Sequence, residues 1–119
     1  MSLVKTHRQL ALDNFRLADD AASTEWAITI FFYSAVHAVN HAVHGKNFAP
    51  PSYRHEQRRQ DILSHPLLIP ISVSYTDLEG LSRDARYSPQ YHPMILQKRD
   101  HTKTLAQSIL RAVGLKPPT

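Results

Sequence analysis

Imidazoles and guanidiniums carry most of the chemistry open to this chain. Its 119 residues include eight histidines and nine arginines but no cysteine. Histidine changes charge near neutral pH, so it can pass protons or ligate a metal. Arginine stays charged and grips two phosphate oxygens with its planar fork. Without cysteine, thiolate chemistry, zinc ribbons and disulfide frameworks are excluded. His37, His41 and His44 stand at i, i+4 and i+7, so one helical face could present three imidazoles to zinc or nickel. The same helix has no Asp or Glu beyond Glu25. The alternative is a buried, hydrogen-bonded His37 with His41 and His44 exposed. A second cluster, Arg54-His55-Glu56-Gln57-Arg58-Arg59, could track a nucleic-acid backbone or form a solvated helix face, because acids interrupt it. Ser34 and Ser82 lack a G-x-S-x-G setting and no glycine-rich phosphate loop exists, which sets aside hydrolase triads and triphosphatases.

The elements that must position these groups follow from scarce glycine and clustered proline. A first helix is expected from about Ser2 to Asp20, with Leu3, Leu10, Leu17 and Ala21 on one stripe and Val4, Ala11, Phe15 and Ala18 beside it. Ser23 or Thr24 can cap a second helix that runs to about His44, where Gly45 stops it. Ser52 can cap a polar third helix, Tyr53 to about Leu63. A fourth, about Ser72 to Ala85, turns Val73, Leu78 and Leu81 inward. The stretch from Arg86 to His92 reads as a loop. Pro93 suits the first turn of a last helix that reaches Val113, buries Leu105, Ile109 and Val113, and ends at a left-handed Gly114 with Leu115 folding back. The chain lacks a period-2 apolar pattern apart from a weak stretch, Ile69–Tyr75, broken by Pro70, so the expected fold is all-α, an up-and-down bundle of four to five helices in one domain, 1–119.

The formal net charge of +4 tilts the chain towards anionic partners. The stretch Trp26–Val43 has no Asp, Glu, Lys or Arg, but Tyr33, Ser34, His37, Asn40 and His41 within it favour a central bundle helix over a membrane span. No secretory leader is legible at the start of the chain, so a cytoplasmic protein without membrane association is expected.

Three pieces, in order, carry a family resemblance. They are Phe32-Tyr33-Ser34-Ala35-Val36-His37 in the second helix, Ser52-Tyr53-Arg54-His55 opening the third, and Tyr75-Thr76-Asp77-Leu78 through Leu81-Ser82-Arg83-Asp84-Ala85-Arg86-Tyr87. Together they resemble bacterial and archaeal HEPN domains over about residues 8 to 113. The resemblance implies a helical bundle that usually dimerises. Its catalytic members carry an arginine followed, after four to six residues, by a histidine, and they cut RNA without metal in the dimer cleft. Three Arg–His pairs here have that spacing: Arg58 and Arg59 with His65, and Arg86 with His92. Spacing alone therefore selects nothing. Only Arg86–His92 lies between the fourth and last helices, where the family places its motif. Tyr91 matches a tyrosine of several non-nuclease relatives, and Tyr87 stands where many catalytic members have a polar residue.

What this implies is a metal-independent endoribonuclease of a toxin or defence system, with no cofactor. In that reading His92 moves protons and Arg86 stabilises the phosphorane. The alternative is a non-catalytic module binding a nucleotide, RNA or a protein partner such as an antitoxin. A further alternative pairs Arg86 with Asp84 or another carboxylate and leaves His92 as a helix cap. Tyr33, His37, His55, Arg59, Tyr87 and Tyr91 are the expected binding or supporting residues. Tyr33 and His37 would either line the cleft or satisfy each other.

Overall fold

A computed structural model describes residues 5–44, 55–87 and 93–117, with the backbone but not the side chain of His55. Among these residues five α-helices follow one another: α1 (His7–Asp20), α2 (Thr24–His44), α3 (His55–Ser64), α4 (Ser72–Tyr87) and α5 (Arg99–Ala112). Short 3₁₀ segments, Ile69–Ile71 and Pro93–Gln97, lead into α4 and α5. No strand occurs among the described residues, and the fold is an all-α bundle.

The helix starts have local causes. Thr6 and Gln9 form a capping box: the Gln9 amide donates to the Thr6 hydroxyl at 3.1 Å and the Thr6 amide donates to the Gln9 side chain at 2.8 Å. α1 therefore begins at His7 rather than Ser2; the expected positions Leu3 and Val4 lie outside the described residues. At α2 the choice between Ser23 and Thr24 falls to Ser23, whose hydroxyl accepts from the Trp26 amide at 3.2 Å. Gly114 has φ 81°, and the Leu115 amide donates to the Leu110 carbonyl at 2.9 Å while its side chain is buried, so the expected left-handed cap and fold-back are both present. Gly45 and the start expected for the third helix lie outside the described residues.

α2 is the central helix, packed against α1, α4 and α5. Burial on most sides explains its long uncharged sequence, and no helix among the described residues is long and apolar enough to cross a membrane. Its Phe31 meets Phe15 of α1 edge-on, with ring centroids 5.2 Å apart, and its Phe32 tilts against Tyr75 of α4 at 5.7 Å. Ser34 donates a buried hydrogen bond to the Ala11 carbonyl at 2.6 Å, possible because alanine lets the two helices approach closely.

Three expectations need correction. The buried stripe of α1 is Ala11, Phe15 and Ala18, whereas Leu17 is 59% exposed. Val73 is 71% exposed, because the 3₁₀ turn before α4 sets that helix's phase by burying Ile71 and Tyr75 instead. The last helix is not continuous from Pro93: a 3₁₀ segment ends at Gln97, and α5 starts only at Arg99. Ile95 in that segment packs with Ile28 and Ala85 in a small second core. This docking holds Pro93–Gln97 against α2 and α4 and accounts for the break.

Candidate functional site

α4 runs two residues further than expected and ends at Tyr87, so Arg86 belongs to a helix and not to a loop. Its aliphatic stem follows the last turn, and its Nε donates to the Ser82 carbonyl at 3.3 Å. The guanidinium then reaches across to α2, where Nη1 donates to the Tyr33 hydroxyl at 3.4 Å. Its carbon also lies 5.2 Å from the Tyr87 ring centroid. These contacts are long or non-directional, so they orient the fork without consuming its five donors.

A neighbouring helix supplies the second cation. Arg59 of α3 places Nε 3.2 Å from Glu79 Oε1 and Nη2 on the same oxygen. Glu79, on α4, is 5% exposed, and its carboxylate holds the Arg59 guanidinium even more firmly in the charged form through that hydrogen bond and its charge. Arg59, Glu79, Arg83, Arg86 and Tyr87 line a pocket of about 130 Å³. Three guanidiniums against one carboxylate leave that lining cationic. The pocket's volume leaves room for a phosphate-sized anion.

The run around Arg58 and Arg59 is not a uniform solvated face. Arg58 is 7% exposed and donates from Nε to the Tyr75 hydroxyl at 2.9 Å. Burial pushes the Tyr75 phenol up to about 12, against the opposing pull of Arg58, so it stays a neutral acceptor. Arg58 braces α3 on α4, and Arg59, one residue on, turns to the pocket.

On its other side Arg86 borders a larger hollow of about 320 Å³, lined also by Ser23, Glu25, Trp26, Thr29 and Ala85. Trp26 is 64% exposed there. Ser23 donates to the Glu25 carboxylate at 2.9 Å, and the backbone amide of Glu25 with this hydroxyl holds the carboxyl below its ordinary range.

The structure thus joins four of the expected residues, Arg86, Tyr33, Tyr87 and Arg59, on one face of α2, α3 and α4. His37 is not among them. It turns to α1, where its Nδ1 lies 3.1 Å from Nδ1 of His7. Tyr33 and His37 therefore serve different neighbours and do not satisfy each other. The His7 and His37 ring centroids are 5.4 Å apart, so the two nitrogens face each other nearly head-on, as in an N–H···N bond with one donor and one lone pair. Burial, then His7, then Arg58 depress His37 to about 4. His41 and His44 are half-buried, not exposed, and no group of three ligating side chains among the described residues converges as a metal site would need. Tyr91, His92 and the side chain of His55 lie outside the described residues.

Sequence reasoning missed Glu79, Arg83 and Trp26. A signal existed for the first two: Glu79, Arg83 and Arg86 stand at i, i+4 and i+7 and share a helix face. Trp26 and Tyr33 are likewise seven apart on α2. The pairing of Arg59 with Glu79 joins separate helices and left no mark in local spacing. No family model, curated protein or solved structure matches the chain.

Proposed function

We propose that this chain is a HEPN-like domain that binds RNA through its phosphodiester backbone, with Arg86 as the principal phosphate ligand and Arg83 and Arg59 beside it. One observation carries this reading: Arg59, Arg83 and Arg86, from two helices, line a single small pocket with Glu79 as its other charged group among the described residues. Guanidiniums held this close repel one another unless an anion sits among them, and Glu79 already engages Arg59. The Tyr33 hydroxyl adds a neutral hydrogen-bonding group at the rim.

Cleavage is the further step that the HEPN resemblance suggests. In it His92 would take the proton of the 2′-hydroxyl or return one to the leaving 5′-oxygen, while Arg86 stabilises the phosphorane. A second copy of the chain would supply the complementary pair, as in a homodimeric toxin or defence nuclease whose partner is an antitoxin. Ile95 packs with Ala85, the residue before Arg86, so the described residues on both sides of 88–92 share one small core. That packing brings the two described flanks together, which is what supports the cleavage reading. A binding-only module is the second reading. It needs only the three guanidiniums that line the Arg86 pocket, which can hold a phosphate without any proton transfer.

Incubating the chain with RNA in excess EDTA separates the two. A nuclease leaves cyclic or terminal 2′- or 3′-phosphates and loses activity in Arg86→Ala and in His92→Ala, with circular dichroism unchanged. A binding module retains RNA in a gel-shift assay, cuts nothing, and loses affinity in Arg86→Ala but not in His92→Ala. Wild-type protein that neither shifts nor cuts RNA refutes the proposal.

A further inference from the structure

The hollow beside Arg86 differs in chemistry from the arginine pocket. Its charged groups among the described residues are Arg86 and Glu25, and Glu25 is ionised at neutral pH. A phosphate placed there would meet that carboxylate, whereas a neutral group with N–H donors would be attracted to it. The exposed indole of Trp26 lines the hollow as well, and buried Ala85 and Thr29 add a small, largely apolar surface. At about 320 Å³ the hollow lies at the lower end of the range for small-molecule sites, room for one ring system and little more.

A flat aromatic wall, a carboxylate acceptor and an adjoining guanidinium form the set of contacts that recognises one nucleotide of an unpaired strand. The indole stacks on the base, the carboxylate reads an amino group, and the guanidinium holds the neighbouring phosphate. We infer that the Trp26–Glu25 hollow is a base pocket for single-stranded RNA, and that it favours a base with an exocyclic amino group, such as cytosine, over uracil. This rests on the reading of Arg86 as a phosphate ligand, because Arg86 borders both the hollow and the arginine pocket and so sets base and phosphate side by side. Cytosine offers Glu25 an N–H₂ donor where uracil offers a carbonyl oxygen, which the carboxylate repels. A paired base has its amino group engaged and its faces stacked, so a duplex cannot fill the hollow.

Trp26 is the single tryptophan of the chain, so indole fluorescence reports this hollow alone. The probes are 2′-O-methyl hexacytidylate and 2′-O-methyl hexauridylate, which cannot be cut by attack of a 2′-hydroxyl. Each is titrated twice, once by Trp26 fluorescence and once by the anisotropy of a dye on the oligonucleotide. The expected results are saturable quenching and binding of the cytidylate about tenfold tighter than the uridylate, the size of one hydrogen bond to a charged group. Glu25→Gln, whose amide can both donate and accept, brings that ratio to within about twofold without abolishing binding. Trp26→Ala weakens both oligonucleotides by about fivefold or more in the anisotropy measurement.

Anisotropy that shows Arg86-dependent binding while Trp26 fluorescence stays flat overturns the base pocket and leaves the phosphate site standing. So does a cytidylate-to-uridylate ratio near one, or a ratio that Glu25→Gln leaves unchanged. Absence of binding to either oligonucleotide by wild-type protein overturns the phosphate reading together with the pocket.

Discussion

Glu79 links the stability of the candidate site to its affinity. Its carboxylate is buried between α3 and α4 and, among the described lining residues, opposes three guanidiniums. Glu79→Gln keeps the shape and removes the charge. The Arg59 hydrogen bonds lose their ionic component, at an expected cost of ~1–3 kcal/mol in a urea titration. The pocket gains a full positive charge, so RNA affinity at low salt should rise several-fold in the same variant. A variant that loses both stability and affinity would mean that Glu79 mainly shapes the Arg59 fork for its ligand. The histidine pair gives a second prediction at this scale. His37 is depressed to about 4 in the folded chain against an ordinary value near 6.5, so between those values the unfolded chain binds more protons. Stability is therefore fully present above about pH 6.5 and is lost as pH falls towards 4. The shift sets a ceiling near ~3 kcal/mol, and partial exposure of His37 lowers the expectation to ~1–2 kcal/mol. His37→Gln should flatten the urea midpoint between pH 7.5 and 4.5 relative to wild type, by roughly that amount. An unchanged pH profile would place the titration elsewhere. Of these residues, Arg86 and Tyr33 were expected near one cleft from the order of the sequence pieces, and Arg59 only as part of a basic run; spacing selected none of them. The contact of His37 with His7 was not legible, because it depends on which face of α1 turns inward.

At the scale of elements, Arg99 binds the end of one helix to the start of another. Its Nη2 reaches the carbonyls of Ala18 and Asp19 at 3.2 Å and of Ala21 at 2.6 Å, at the C-terminal end of α1, where carbonyls lack the next turn's amides. The last turn of α1 has no basic residue of its own, so this guanidinium from α5 supplies the charge that opposes the helix dipole there. Arg99→Ala should cost ~1–2 kcal/mol and speed hydrogen exchange in the last turn of α1 more than at its capped N-terminus. Equal acceleration at both ends would show that the loss is global. The existence and order of the helices could be read from apolar period and punctuation because those signals are local. Boundaries failed where tertiary contacts decide them. Docking of Ile95 against Ile28 and Ala85 interrupts the last helix, and α4 extends through Arg86 and Tyr87, which were expected in a loop. Likewise Leu17 and Val73 are apolar residues in phase with a helix but on its outer side, and composition cannot tell which of two adjacent stripes turns inward.

For the whole molecule, the question is whether a formal net charge of +4 acts as a diffuse field or through a few fixed contacts. A diffuse field attracts any polyanion, is screened beyond about 8 Å at physiological salt, and is barely changed by losing one surface arginine. Fixed contacts release counterions one phosphate at a time, so log K falls with log salt at about −0.7 for each phosphate neutralised on a single strand. The pocket carries Arg59, Arg83 and Arg86, but Glu79 already offsets Arg59, which leaves about two phosphates' worth of charge. The expected slope for single-stranded RNA is therefore about −1.4, and Arg86→Ala should reduce it to about −0.7. Substituting a basic residue away from this face, such as Arg111, should leave the slope unchanged. A wild-type slope far steeper than this, equally insensitive to Arg86→Ala and Arg111→Ala, would mean that the strand follows the molecule's overall field and that the arginines of α3 and α4 have no special part in holding it.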